Sequence, residues 1–158
     1  MRKINAELDN KMLSVDDALK SVLSGVKKLN YEEISIAQAA NRIIAKDLTS
    51  RLTQPPTDVS AMDGYAVRIE DLKIIPATLN QIGESAAGRS FKGKIQSGQT
   101  VRIFTGAPIP DGADMVVIQE NTEKLGNKII VKQNTSSGNY IRKAGQDFKF
   151  GQTLIKAG

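Results

Sequence analysis

The first amphipathic pattern of the chain lies in residues 15–27. Apolar residues recur there at intervals of three and four, which places them on one face of a helix. They are Val15, Ala18, Leu19, Val22, Leu23 and Val26. Ser14 precedes the pattern as a suitable N-cap, and Asp16 adds a negative charge that the dipole favours in the first turn. The pattern therefore predicts a helix from Val15 to Lys27.

The pattern becomes shorter and mixed over residues 32–45. Ile34 and Ile36 alternate with polar residues, which predicts a short strand. A brief helix around Gln38 and an extended segment at residues 43–45 are predicted to follow. Residues 1–53 are thus predicted to mix helix and strand.

From residue 65 onward the sequence is typical of a β protein. Short β-branched and apolar runs, separated by glycines, predict strands. These runs are Tyr65–Val67, Thr78–Ile82, Thr100–Phe104, Met115–Ile118 and Lys128–Lys132. Leu125-Gly126-Asn127 predicts a hairpin turn, and residues 135–139 predict a loop. Several short strands at this spacing favour a small barrel or sandwich.

Between the mixed helix and strand region and the β region lies the segment Gln54 to Arg68. Its sequence is Q-P-P-T-D-V-S-A-M-D-G-Y-A-V-R. Pro55 and Pro56 restrict φ and lack backbone donors, which predicts an extended loop. Asp63-Gly64 favours a sharp turn with Asp63 at its tip. Asp63 is therefore either a residue that stabilises this turn or a functional carboxylate, since long ordered loops more often carry function.

Composition narrows the possible chemistry. The 158 residues contain no Cys and no His. Disulfides, thiolate catalysis and imidazole ligands are therefore excluded, and any metal ion must be a hard cation bound by oxygen atoms. The net charge of +5 favours an anionic partner, but 4% aromatic residues are few for a nucleic-acid surface. We expect no nucleic-acid partner.

The first ten residues combine charges with no apolar run. This pattern is typical neither of a signal peptide nor of a membrane span. We expect a cytoplasmic protein without a membrane partner.

Three stretches stand out in the sequence: S-A-M-D-G-Y-A-V, R-I-F-T-G-A-P-I-P-D-G-A-D-M-V-V-I-Q-E and I-R-K-A-G-Q-D-F. They resemble motifs of the MoeA/gephyrin E-domain family of molybdopterin molybdenumtransferases and occur in the order of the family. The resemblance covers residues 14–158, which corresponds to the N-terminal region of the family. It implies a role in molybdenum-cofactor biosynthesis, namely insertion of molybdate into adenylylated molybdopterin with release of AMP, assisted by Mg²⁺.

The resemblance also implies an architecture. It predicts an α+β fold in which a discontinuous mixed α/β domain, residues 1–54 plus 141–158, carries an inserted small β-barrel-like domain, residues 55–140. It further implies a homodimer.

Site residues follow from the same resemblance. Asp63 and Thr105 are predicted to be catalytic, with Asp63 also holding Mg²⁺, directly or through water. Arg142, Asp147, Ser60 and Gly106 are predicted to bind the anionic pterin-phosphate substrate. The residues themselves leave simpler alternatives open: a turn at Asp63, a hydroxyl-stabilised turn at Thr105, and a surface ion pair between Arg142 and Asp147.

The chain also departs from the family pattern. The family continues into a pterin-binding domain that this sequence does not contain, so we expect the 158 residues alone to be inactive. Gln146 replaces a usual Glu, and Ser85-Ala86 replaces a common Ile-Pro pair. The alternative function is a non-catalytic dimerisation or scaffold module.

Overall fold

The computed structural model describes residues 12–27, 29–133 and 138–158. They divide into two compact units, one ending at Ala45 and one running from Lys46 to Gly158. The elements are α1 (Val15–Ser24), β1 (Leu48–Thr49), β2 (Val59–Ser60), β3 (Gly64–Val67), β4 (Ala77–Ser85), β5 (Gln99–Ile103), β6 (Met115–Ile118), β7 (Thr122–Leu125), β8 (Lys128–Val131), β9 (Ile141–Arg142) and β10 (Thr153–Ile155). Short 3₁₀ helices occupy Ile36–Gln38, Ile69–Leu72 and Gln119–Asn121.

Helix α1 begins where the sequence predicts. Its N-cap Ser14 accepts a hydrogen bond from the backbone N–H of Asp17, at 3.1 Å. The helix ends at Ser24 rather than Lys27 because Gly25 serves as its C-cap. None of its residues is buried, and Val15 and Val22 are 83% and 71% exposed. No described helix is long and apolar enough to cross a membrane.

The strand predicted at Ile34 and Ile36 is wrong. Residues 36–38 form a 3₁₀ helix, and residues 43–45 form no strand. Ile36 is 94% exposed, so this segment has no buried face, and an alternating pattern stabilises a strand only where one face is buried.

The second unit is built on a six-stranded sheet with the order β6-β3-β5-β4-β8-β7. Strands β4 and β5 are parallel, and every other neighbouring pair is antiparallel. The five predicted runs all lie in this sheet, and Gly126-Asn127 makes the predicted hairpin turn between β7 and β8. Strand β7 was not predicted, because its sequence T-E-K-L is mostly polar and exposed.

Apolar side chains cover both faces of this sheet. On β3, Tyr65 and Val67 belong to one buried cluster and Ala66 belongs to the other, as strand alternation requires. The first cluster also contains Leu79, Val117 and Ile129, and the second contains Ile95, Val101 and Ile103. The sheet-rich structure is consistent with the predicted small barrel-like domain, while the α+β description of the whole chain stays a prediction.

The prediction of a sharp turn at Asp63-Gly64 is wrong for Gly64. Gly64 is a buried residue of β3 and pairs with Ile103 on one side and Ile118 on the other. A Cβ atom at Gly64 would lie 2.0 Å from the carbonyl oxygen of Val117. Glycine is therefore required here by a close approach of two backbones.

Two short ribbons bring the end of the chain back to residues 48–60. Strand β10 pairs with β1, and β9 pairs with β2, both antiparallel. Between these ribbons, Gln54 and Phe148 form an isolated bridge. The domain boundaries at residues 54 and 141 stay a prediction.

Candidate functional site

The three family-like stretches meet in the second unit. We call residues 54–63, 104–111 and 139–147 the three-segment cluster. Val59 pairs with Arg142 on one side and bridges Pro108 on the other, so the first segment lies between the other two. Residues far apart in the sequence are thereby brought to one place.

Backbone hydrogen bonds join the first and second segments along their length. The N–H of Ser60 donates to the carbonyl of Ala107 at 2.9 Å, and the N–H of Gly106 donates to the carbonyl of Ser60 at 2.8 Å. The N–H of Ile109 donates to the carbonyl of Asp58 at 3.0 Å. This ladder sets the position of Asp63 relative to Thr105.

The third segment is held by the same loop. Ala61 donates to the carbonyl of Tyr140, and Gly145 donates to the carbonyl of Pro55, both at 2.9 Å. Asp147 donates through its backbone N–H to the carbonyl of Gln54 at 3.0 Å. The proline-rich loop is thus the common partner of both other segments.

Asp63 and Thr105, the two predicted catalytic residues, are in direct contact. The backbone N–H and the hydroxyl of Thr105 both donate to Oδ1 of Asp63, each at 2.7 Å. These two bonds lower the pKa of the Asp63 carboxyl below its usual range, and the charge of Arg102 lowers this pKa further. Asp63 is therefore ionised at neutral pH.

Only one oxygen of Asp63 is used in this contact. Among the described residues, no hydrogen bond reaches the second oxygen, Oδ2, and the residue is exposed. A negatively charged oxygen on a side chain held by two bonds is thus presented to solvent. This oxygen is suited to bind a hard cation or a hydrated one.

The loop amides near Thr105 are already engaged. Thr105 donates to Asp63, Gly106 donates to Ser60, and the N–H of Ala107 donates to the carbonyl of Phe104 at 2.9 Å. The Thr105 hydroxyl has a single proton and donates it in the hydrogen bond to Asp63. In this conformation these groups support the carboxylate and leave no donor free for an anion.

Ser60 is a buried residue that stabilises its own loop. Its hydroxyl donates to the carbonyl of Met62 at 2.6 Å and accepts from the N–H of Met62 at 3.3 Å. Ser60 is only 1% exposed. Its hydroxyl therefore positions the turn that leads to Asp63.

Arg142 and Asp147 form an ion pair. Both side chains are about two-fifths exposed, at 42% and 39%. An exposed pair of this kind contributes about 0–1 kcal/mol to stability. The ion pair proposed as the simpler alternative exists, and the guanidinium remains accessible to an anion that displaces Asp147.

Asp58 is a residue whose role the sequence did not reveal. Its carboxylate accepts from Nζ of Lys143 at 2.7 Å and from the backbone N–H of Ala144 at 2.9 Å. The Lys143 bond first, and then the Ala144 bond, lower the pKa of the Asp58 carboxyl. Asp58 thus fastens the third segment to the first.

The two local departures from the family pattern have structural roles. The side chain of Gln146 accepts from the backbone N–H of Lys143 at 3.1 Å and closes a turn. Ser85 is fully buried at the end of β4, and its hydroxyl donates to the carbonyl of Pro108 at 2.9 Å. Neither residue places a charge in the three-segment cluster.

A cleft of about 420 Å³ opens at the Asp58 end of the three-segment cluster. Its lining includes Pro56, Asp58, Ile109 and Ala144. Asp63 does not line this cleft. Among the described residues, no group of three or more acidic side chains is placed to hold a metal ion.

The chain is similar to known proteins in sequence and in structure. The family model described as "MoeA N-terminal region (domain I and II)" matches residues 13–158. Molybdopterin molybdenumtransferase of Haemophilus influenzae is 38% identical over 149 residues, which cover 93% of this chain and 37% of that protein. The same-named protein of a Nostoc species is 36% identical over 154 residues, 92% of this chain and 35% of that protein.

A solved structure is similar as well. The crystal structure of the molybdopterin biosynthesis moeA protein from Pyrococcus horikoshii OT3 matches with a TM-score of 0.82 and 32% identity. The match covers 94% of this chain and 40% of that chain. The chain therefore spans less than half the length of these relatives.

Proposed function

Because this chain belongs to the family of MoeA N-terminal regions, domains I and II, we propose that it is part of a molybdopterin molybdenumtransferase. The reaction proposed for the full-length protein is insertion of molybdate into adenylylated molybdopterin, with release of AMP. Because the chain spans 37% of the Haemophilus relative, we assign this reaction to the longer protein. We propose that the 158 residues do not catalyse it by themselves.

The observation that carries this proposal is the contact between Asp63 and Thr105. Two hydrogen bonds hold one carboxylate oxygen and leave the other exposed in the middle of three family motifs. A carboxylate that only stabilised a local turn would bind its own loop, whereas Asp63 binds a residue 42 positions away. We therefore assign Asp63 a functional role and Thr105 the role of orienting it.

The residues fit Mg²⁺ as an ion shared with the substrate. Asp63 is ionised and presents one free oxygen, and the described chain supplies no cluster of three acidic ligands. Mg²⁺ in phosphate-handling sites keeps several waters and takes one or two carboxylates together with substrate phosphates. Bound there, Mg²⁺ would neutralise phosphate charge and so favour departure of AMP.

The protein residues supply orientation and charge. Thr105 holds Oδ1 of Asp63, so the direction of Oδ2 is set before substrate binds. Arg142 offers a planar guanidinium that can exchange Asp147 for a phosphate group of the substrate. Ser60 and Gly106 join the segments that carry Asp63 and Thr105 through their backbone hydrogen bonds. Molybdate enters as substrate.

The test replaces Asp63 with Asn in the full-length protein. The amide oxygen of Asp63→Asn can still accept both bonds from Thr105, but the negative charge is lost. We expect molybdate insertion to fall by roughly 10²-fold, the order typical of one preorganised electrostatic group, while the melting temperature changes little. The matched control is Asp71→Asn, since Asp71 also accepts loop hydrogen bonds, from Ser97 and Gly98.

The control should retain full turnover. An Asp63→Asn enzyme with normal turnover and normal Mg²⁺ dependence would overturn the role assigned to Asp63.

A second candidate function follows from the first unit. We propose that the chain also forms a homodimer, because the apolar residues of α1 make an exposed stripe. A helix with one apolar face is normally covered, and a second copy would cover this one. If the full-length protein has no transferase activity, a dimerisation or scaffold role is the remaining proposal. Sedimentation of Val22→Asp, compared with the unchanged chain, tests it: a monomeric variant supports the dimer and an unchanged mass contradicts it.

The cytoplasmic location and the absence of a nucleic-acid partner stay predictions.

A further inference from the structure

Arg102 is a charged residue in the interior of strand β5. Its neighbours on the strand, Val101 and Ile103, are fully buried, and Arg102 itself is half-buried. Its guanidinium carbon lies 5.2 Å from the ring centre of Tyr65 and 4.8 Å from that of Phe104. Cation–π attraction from two rings restricts where this side chain can go.

The guanidinium is bonded to the backbone beside Asp63. Nη1 of Arg102 donates to the carbonyl of Gly64 at 3.1 Å. Nη2 donates to Oε1 of Gln119 at 2.7 Å, and the backbone N–H of Gln119 donates to the carbonyl of Asp63 at 3.2 Å. The peptide carbonyls of Asp63 and Gly64 are therefore both held, one through Gln119 and one by Arg102.

We propose that Arg102 is a positioning residue that sets the direction of the Asp63 carboxylate through the Gly64 carbonyl and Gln119. This inference rests on the proposed function, since it assigns Arg102 a purpose in orienting Asp63. Thr105 fixes the carboxylate from its end, and Arg102 fixes the backbone from which that side chain leaves. The two anchors together limit the freedom of Oδ2.

Strand pairing alone does not require an arginine at this position. The backbone of β5 pairs with β3 and β4 whatever side chain residue 102 carries. A planar fork that bonds two acceptors and lies over two rings is a specific property of arginine. The same positive charge also favours the ionised form of Asp63.

The experiment measures the 158-residue chain by NMR. Two quantities are followed in Arg102→Gln and Arg102→Lys: the carboxyl titration of Asp63 and the exchange rate of the Thr105 amide proton. Lys keeps the charge but loses the planar fork, so it separates position from charge. Both variants should speed exchange of the Thr105 amide by roughly 10-fold, the change that corresponds to loss of one ordinary hydrogen bond.

The titration supplies an internal control. Arg102→Gln should raise the pKa of Asp63 and leave that of Asp58 unchanged. Lys143→Gln should raise the pKa of Asp58 and leave that of Asp63 unchanged, because Lys143 is bonded to Asp58. Arg89→Gln, which removes an exposed arginine paired with Glu84, should change neither carboxyl nor the Thr105 amide.

Each outcome decides the inference. Unchanged Thr105 exchange in a folded Arg102→Lys chain would overturn it, even if Arg102→Gln raises the Asp63 pKa, because charge alone would then account for the shift. If Arg102→Gln does not fold, exchange in Arg102→Lys still decides.

Turnover of the full-length protein is measured separately. A silent Asp63→Asn variant would refute the proposed function of Asp63 without altering the NMR result on Arg102. Reduced turnover in both Arg102→Gln and Arg102→Lys is the expected result, because both variants lose the planar fork.

Discussion

Helix α1 and strand β3 both carry apolar side chains, but these side chains have opposite surroundings. Val22 of α1 is 71% exposed, whereas Val67 of β3 is fully buried. The helix is defined by local features, namely its cap and its 3.6-residue period, and its own unit buries none of it. The strand exists because neighbours on both sides and both faces cover it. Local signals are therefore enough to define a helix, while a buried strand depends on the rest of the sheet.

The largest effect is expected where β3 meets β6. In Gly64→Ala the new methyl group would collide with the carbonyl of Val117, which is backbone and cannot rotate away. We expect a loss of about 3 kcal/mol or more in the free energy of unfolding. Urea unfolding followed by circular dichroism measures it. Gly25→Ala, at the C-cap of α1 where nothing lies within 4 Å of the added atom, is the control and should be nearly neutral.

A smaller contrast comes from removing the same group from both regions. Val67→Ala deletes two buried methyl groups and leaves a cavity, which should cost about 2–3 kcal/mol. Val22→Ala removes exposed methyl groups and should stay within about 0.5 kcal/mol. Equal losses in a monomeric sample would show that α1 is covered within its own chain, which would break the comparison.

The N-cap of α1 should matter more than its apolar face. Ser14→Ala removes the acceptor for the Asp17 amide and should cost the helix about 1 kcal/mol. Circular dichroism should show lower helix content. Ser14→Asp should restore it, because Asp is an equally good cap. A Ser14→Ala chain with unchanged helix content would mean that contacts rather than capping define α1.

The smallest effect is the dependence of the second unit on pH. The folded pKa values of Asp58 and Asp63 lie below their usual value, so both carboxylates bind protons more readily in the unfolded chain. Their contribution to stability is present above the unfolded pKa of about 3.9 and is lost as pH falls through the folded pKa. The urea midpoint should therefore drop between pH 5 and pH 3, and Asp58→Asn should show a smaller drop. An equal drop in the variant would assign the acid sensitivity to other groups.

The predictions that were wrong concern features that, like strand β3 and unlike helix α1, depend on contacts between distant parts of the chain. Asp63-Gly64 has the composition of a hairpin turn, but Gly64 is needed because the Val117 backbone passes close to it. Ile34 and Ile36 alternate as in a strand, yet no partner strand is present among the described residues of the first unit. The parallel pairing of β4 with β5 joins segments that no local pattern connects.

The site shows the same division. Asp63, Thr105, Arg142 and Asp147 were predicted from the family resemblance, and all four lie in the three-segment cluster. Asp58 and Arg102 were missed because their roles depend on partners 85 and 38 positions away. Charge and residue type are visible in a sequence, but the partner of each charge is not.

The sequence by itself determined the N-cap and period of α1, the five apolar strands, the hairpin turn at Gly126 and the motifs that define the family. These depend on interactions between residues close together in the chain, where the spacing in the sequence fixes the relative positions of the side chains. Only the tertiary structure decided the order of the strands, the need for glycine at residue 64, and the contacts of Thr105 with Asp63 and of Arg102 with the Gly64 carbonyl. These depend on distances between distant segments, which are set when both faces of the sheet are buried at once.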